Sequence, residues 1–117
     1  MTREITRLNY GFIKTIYDAI GIAIEFDRKN NLVVTMSISI DFLNESDAKK
    51  AADLVKKTSK IVYVEEDTSC SIRLFQYFSP SSVEDSIKLY AAFRDEVEDL
   101  ISTFDKVDIL RVERIVD

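Results

Sequence analysis

The chain has 117 residues, a length typical of one domain that can bury a single hydrophobic core. It contains no histidine and only one cysteine, Cys70, so the commonest routes to nucleophilic, general-base and transition-metal catalysis are missing. The formal net charge of −5 disfavours a protein whose main task is to bind nucleic-acid phosphates. These features predict a single domain over residues 1–117 that is not an enzyme and uses no cofactor or metal.

The sequence also predicts a cytoplasmic location. A single cysteine cannot form an intramolecular disulfide, which suits a reducing compartment. The opening residues, Met1 to Glu4, do not show the basic segment and apolar core of a signal peptide. No apolar run approaches about 18 residues, so we expect no membrane-spanning segment.

In the first half of the chain, the spacing of apolar residues predicts a helix followed by a hairpin and a second helix. Residues 3–20 carry apolar side chains at three- and four-residue steps, which indicates a helix. The period changes to two from Gly21, predicting paired strands that end at Phe42 with a turn over residues 28–31. Asn44 is the expected N-cap of a short helix. The two apolar stripes consist of Ile5, Leu8, Phe12, Ile16 and Ile20, and of Ala48, Ala51, Ala52 and Val55.

The second half predicts another hairpin and a long helix. The strands are expected over residues 61–65 and 70–78, with a turn near Asp67 to Ser69 and Cys70 on the apolar face. Ser81 and Glu84 form a capping box. The helix that follows has the stripe Val83, Ile87, Tyr90, Phe93, Val97, Leu100 and Phe104. Residues 107–116 are predicted to form a final edge strand.

Together these elements predict an α+β fold in the order α-β-β-α-β-β-α(-β). We expect an antiparallel sheet of four to five strands, built from two hairpins, with the helices packed mainly on one face. The apolar row of the second strand should contact the stripes of the second and last helices. That row consists of Met36, Ile38, Ile40 and Phe42.

The strand over residues 70–78 is apolar on both faces, so its second face is the candidate interaction surface. Arg73, Phe75 and Tyr77 alternate with the predicted core residues of this strand. Aromatic residues beside an arginine are typical of protein interfaces and also of surfaces that stack bases. The net charge favours a protein partner, including a second copy of the chain. The first helix of the same chain is an alternative cover for this face.

Other residues suggest weaker alternatives. The second helix has a lysine-rich face that fits an ordinary solvated surface, or a nucleic-acid interface in combination with the aromatic strand. Asp95, Glu98 and Asp99 share one helix face and would suit a divalent cation only if another acidic segment converged on them. With no histidine to activate it, Cys70 is expected to be a small buried side chain. The lysines are Lys49, Lys50, Lys56, Lys57 and Lys60.

Residues 37–101 resemble the small dimerising subunit of the KEOPS complex, the archaeal and eukaryotic assembly that makes threonylcarbamoyladenosine in tRNA. The resemblance rests on three sequence motifs: an alternating strand ending in residues 38–42, a Ser/Glu/Asp-Ala helix start at residues 44–48, and paired serines opening the last helix. The family's Leu-Arg pair after those serines is replaced here by Glu84 and Asp85, and residues 1–30 have no counterpart. The resemblance implies a non-catalytic subunit that forms a homodimer and bridges a partner protein.

Overall fold

The computed structural model describes residues 19–81 and 83–112 of the chain. These residues form two hairpins and two helices, which confirms the α+β class. The predicted helix over residues 3–20 lies outside the described residues except for its end, where Ala19 is helical. The elements are β1 (Gly21–Phe26), β2 (Leu32–Asp41), α1 (Glu45–Thr58), β3 (Tyr63–Thr68), β4 (Ser71–Phe78) and α2 (Val83–Lys106).

The four strands form one antiparallel sheet in the order β1-β2-β4-β3. Strand β4 is therefore hydrogen-bonded on both edges. Strand β2 is also hydrogen-bonded on both edges but alternates between apolar residues and small polar ones, so the central position of β4 does not account for its second apolar face.

The β3–β4 turn lies one residue later than the sequence predicts. Strand β3 continues through Thr68, and β4 begins at Ser71, where the hydroxyl groups of the two residues are 2.7 Å apart. A register irregularity between Glu66 and Thr68 accommodates the extra strand length. Cys70 consequently lies in the turn and is partly exposed, so the prediction that it is a core side chain on the strand was wrong.

The β1–β2 turn is organised by one carboxylate. Asp27 Oδ1 accepts hydrogen bonds from the backbone N–H groups of Lys29 (2.9 Å) and Asn31 (2.8 Å). The N–H of Asn31 is the main reason that the pKa of Asp27 lies below its ordinary value. Asn30 adopts a left-handed backbone conformation (φ 65°), which asparagine tolerates better than most residues. The predicted turn is confirmed.

Helix α1 begins as predicted. Asn44 Oδ1 accepts a hydrogen bond from the backbone N–H of Asp47 at 2.8 Å, which satisfies a donor that the first helical turn leaves free. At the start of α2, by contrast, the Ser81 hydroxyl contacts the Asp85 carboxylate rather than forming the predicted box with Glu84. The predicted stripe of α1 is buried: Ala48, Ala51, Ala52 and Val55.

The hydrophobic core lies between the helices and one face of the sheet. The predicted row on β2, which includes Met36 and Ile38, is buried together with residues of both helices. Aromatic pairs join the layers: the ring centroids of Phe42 and Phe104 are 6.0 Å apart, and those of Phe78 and Phe93 are 6.5 Å apart. The expectation that both helices pack on this face is confirmed for the described residues.

Some apolar residues on the core side of the sheet are exposed instead. Ile22 and Ile24 pair with Met36 and Val34, so they lie on the core side of the sheet, but they are more than half exposed. Ile87, in the second turn of α2, is also exposed. The reason is geometric: α1 and α2 contact the central and far strands, β4 and β3, and leave the edge strand β1 uncovered among the described residues.

Within residues 107–112, the described part of the tail that was predicted as a strand over residues 107–116, the chain forms one antiparallel bridge. Asp108 has a left-handed backbone (φ 56°) that reverses the chain, and Ile109 is buried. The N–H of Val112 donates to the carbonyl of Asp41 at 2.7 Å, beside the end of β2 that β1 does not reach. Residues 113–117 lie outside the described part of the chain.

Arg111, which the sequence analysis did not single out, is the largest fully buried side chain among the described residues. Its Nη1 donates to the carbonyl of Ile101 (3.4 Å) and to Asp105 Oδ1 (3.2 Å). Burial lowers the pKa of Arg111 from its ordinary value, and the Asp105 carboxylate opposes that shift. The ion pair therefore fastens the tail to the last turn of α2.

We expect Asp105→Asn to lower the free energy of unfolding by about 1–3 kcal/mol, because it removes the negative charge of the Asp105 carboxylate from beside the buried guanidinium. Urea denaturation followed by circular dichroism measures the change. Asp99→Asn is the matched control, since Asp99 is an exposed carboxylate on the same helix. Equal stability of the two variants would contradict this role for the ion pair.

Candidate interaction surface

The sheet face opposite the helices carries the residues that the sequence singled out. Successive side chains of β4 point to opposite faces, so Ile72 and Leu74 enter the core while Arg73, Phe75 and Tyr77 lie together on the other side. The alternation continues without a break from Ser71 to Phe78. The structure thus brings the three predicted interface residues onto one surface.

A fourth residue, Tyr63 of β3, completes the group. It pairs directly with Phe75 across the strands, and their ring centroids are 5.7 Å apart. Tyr77 is 5.6 Å from Phe75 in an edge-to-face arrangement and 6.2 Å from Tyr63. We call Tyr63, Arg73, Phe75 and Tyr77 the sheet-face cluster. The alternation of Tyr63 with Val62 and Val64 was the sequence signal for its position.

The guanidinium of Arg73 is held in place from two sides. Its Cζ lies 4.8 Å from the ring centroid of Phe75, a distance typical of a cation–π contact. Its Nη1 is 3.0 Å from Glu65 Oε1 on the neighbouring strand. The carboxylate offsets the positive charge, so this arginine presents a stacked planar surface more than a free cation.

The sheet-face cluster is open to solvent. Tyr63 is 56% exposed and Tyr77 is 58% exposed, while Phe75 between them is half-buried. On the adjoining strand β2, the residues opposite Phe75 and Tyr77 are the small polar Ser37 and Thr35. The outer face of an antiparallel sheet is usually polar. Three contacting aromatic rings on such a face are therefore an exception that calls for a covering partner.

The lysines of α1 do not form one surface with this cluster. Helix α1 packs on the opposite side of the sheet, and Lys49 is paired with Glu45 at 3.2 Å on its solvent side. Lys56 and Lys60 line a shallow hollow that also includes Tyr63, at the β3 edge. Lys50 and Lys57 are exposed on α1. The structure thus separates most of the lysine-rich face from the aromatic rings.

Of the three acidic residues of α2 that were considered for a cation, Asp95 and Glu98 lie beside Arg94, and Asp99 is exposed. Arg94 lies 2.9 Å from Asp95 and 3.8 Å from Glu98. Within residues 19–81 and 83–112, no three cysteine, aspartate or glutamate side chains converge to hold a metal ion. Neither of the two described helices has the length and hydrophobicity needed to cross a membrane.

Comparison of the chain with protein-family models, with curated proteins and with solved structures found no match. The likeness of residues 37–101 to the KEOPS subunit therefore stays a prediction made from the sequence.

Proposed function

We propose that this protein is a non-enzymatic assembly subunit that forms a homodimer through the sheet-face cluster. The observation that supports the proposal is the group of contacting, solvent-exposed aromatic rings around Phe75, with Arg73 stacked on one of them. Tyrosine and arginine are, with tryptophan, the residue types enriched among side chains that dominate binding energy at protein interfaces. Burial of these rings would remove a large apolar area from water.

A flat sheet face suits pairing with a second copy of itself. In a two-fold symmetric dimer the same patch is used twice, so one cluster of aromatic anchors supplies both sides of the contact. The small side chains of Thr35 and Ser37 next to the cluster leave room for the partner's tyrosines. The cluster is built on hydrogen-bonded strands, so it loses little conformational entropy when it binds.

The charge distribution supports a protein partner over a nucleic acid. The chain carries a net charge of −5, and Glu65 offsets the one cation of the cluster. Nucleic-acid affinity depends on releasing counterions with several unpaired basic groups along one path. Lys49 is already paired, and α1 lies across the sheet from the rings. Binding to a second protein chain does not require a row of unpaired basic side chains.

We also propose that the dimer is a cytoplasmic scaffold in a tRNA-modification complex of the KEOPS type. This finer role rests on the sequence resemblance. From β2 to α2 the described elements run strand, helix, two strands, helix, which is the order that the resemblance implies. In such a role the protein would bind a partner enzyme and hold it in the complex, and it would supply no catalytic group itself.

Sedimentation equilibrium between about 5 and 100 µM should show a reversible monomer–dimer equilibrium for the wild-type chain. Tyr77→Asp should raise the dissociation constant at least about tenfold, because it places two like charges in a symmetric interface and removes an anchor ring. Tyr77 is more than half exposed in the monomer, so the substitution should leave folding intact. Circular dichroism checks that expectation.

Val107→Asp is the matched control, since Val107 is similarly exposed but lies beyond the end of α2. It should associate like the wild type. A wild-type chain that stays monomeric over this whole range would contradict the proposal. Equal weakening by both substitutions would show that added charge, and not loss of the cluster, causes the change.

The alternative function, single-stranded nucleic-acid binding, makes an opposite prediction. If the protein is an assembly subunit, a fluorescently labelled single-stranded RNA oligonucleotide should show no rise in anisotropy when the protein is added at low ionic strength. A binder would lose affinity steeply as salt is added and would weaken when Arg73→Gln or Lys60→Gln is introduced. That behaviour would replace the dimer proposal with the nucleic-acid one.

A further inference from the structure

An apolar groove lies on the helix side of the sheet, between β1 and the first turns of α2. It encloses about 280 Å³ and is separate from the sheet-face cluster, which lies on the other side of the sheet. We call it the β1–α2 groove. Its lining residues are Ile22, Ile24, Val34, Met36, Ser86, Ile87 and Tyr90.

The walls of the groove are apolar side chains that the described residues leave exposed. Ile22, Ile24 and Ile87 are between 53% and 67% exposed, and Phe26 at the end of β1 is 66% exposed. Its floor is different, because Val34 and Met36 are buried in the core. A contiguous apolar surface of this kind, continuous with the core, marks a place where another element binds.

The chain itself enters at one end of this groove. Ala19 and Ile20 are buried members of the core, and Ala19 is helical. Because side chains alternate along a strand, Ile20 continues the row of Ile22 and Ile24 on the helix side of the sheet. At Ala19 the chain therefore lies on the groove side of the sheet and not on the side of the sheet-face cluster.

The sequence of the segment before Ala19 matches the groove in pattern and in length. Its apolar residues, from Ile5 to Ile16, follow the three- and four-residue spacing of one helix face, and the next member of the series is the buried Ile20. As a helix, Ile5 to Ile16 would span about 17 Å. The exposed row from Ile22 to Phe26 spans about 13 Å.

We infer that residues 3–18 bind the β1–α2 groove of their own chain as an amphipathic helix that runs antiparallel to β1. The apolar face of the helix, with Phe12 near Ile24, covers the exposed row, and Lys14 on the opposite face points to solvent. The covalent link at Ile20 keeps the segment at a high effective concentration beside the groove, which favours it over the same segment of a second copy.

Disulfide trapping in the full chain tests this placement, in a Cys70→Ser background that removes the native thiol. A disulfide requires Cβ atoms about 4 Å apart, so Phe12→Cys combined with Ile24→Cys should oxidise readily to a monomer with an internal disulfide. This pair should react at least about tenfold faster than each of two comparison pairs, which place one cysteine on the wrong face of the helix or of the sheet. Lys14→Cys with Ile24→Cys tests the helix face. Phe12→Cys with Tyr77→Cys tests the other side of the sheet.

Equal rates for the three pairs, or fastest oxidation of the Tyr77→Cys pair, would overturn the inference. A covalent dimer as the main product would also overturn it, because the groove would then bind a second copy. Most of these outcomes leave the homodimer proposal unaffected. Fastest oxidation of the Phe12→Cys, Tyr77→Cys pair would contradict both the homodimer and the groove placement, because the N-terminal segment would then cover the sheet-face cluster.

Hydrogen exchange supplies a second readout that does not depend on the geometry of one cysteine pair. Backbone amides of residues 5–18 should be protected in the wild type and lose at least about tenfold of that protection in Ile87→Asp, which places a charge in the groove. Ile61→Asp is the matched control, because Ile61 is a comparably exposed isoleucine outside the groove. An unchanged exchange pattern in Ile87→Asp would overturn the inference.

Discussion

The position of β4 between two neighbouring strands is the constraint on which the rest of the structure depends. A central strand has no free edge, so its side chains alone determine what each face of the sheet can bind. Ile72 and Leu74 pack against the helices on one face, and the alternation of side chains then places Arg73, Phe75 and Tyr77 on the other face. Phe75 occupies the middle of that second face, in contact with the neighbouring aromatic rings. The candidate interface thus follows from the alternation along β4 and from the register that pairs Phe75 with Tyr63 of β3.

The two faces differ in how their apolar surface is covered. On the helix side, Phe93 and Phe104 of α2 contact Phe78 of β4 and Phe42 just beyond β2, and the buried Arg111 ties the tail to the same helix. Among the described residues the cover is incomplete at β1, where aliphatic side chains line a groove next to Ala19 and Ile20. On the other side, the described residues provide no covering element for the aromatic rings. An aliphatic groove beside a tethered amphipathic segment suits an intramolecular contact, whereas a flat aromatic face suits an intermolecular one.

The features that sequence reasoning predicted well are those fixed by near neighbours in the chain. The alternation along β2, the Asn44 cap and the turn at Asp27 each depend on side chains within a few residues, and each is present in the structure. The same alternation placed Arg73, Phe75 and Tyr77 on one face. The errors concern tertiary arrangement. Ile22 and Ile87 have the periodicity of core residues but are exposed, because helix periodicity does not reveal which strand a helix will cover. Alternation with Val62 and Val64 indicates the face on which Tyr63 lies, but its contact with Phe75 depends on strand register. Arg111 acquires its role from a chain reversal, which local spacing does not encode.

The central claim is that the face of Phe75 and Tyr77 is buried against a second copy of the chain. Aromatic NMR signals followed during dilution from about 1 mM to about 10 µM test it most directly, because a ring that leaves an interface changes its surroundings whereas a core ring does not. The account predicts concentration-dependent shifts for Tyr63, Phe75 and Tyr77 and constant signals for Phe93 and Phe104. Constant signals for all five rings, or shifts confined to other residues, would contradict it.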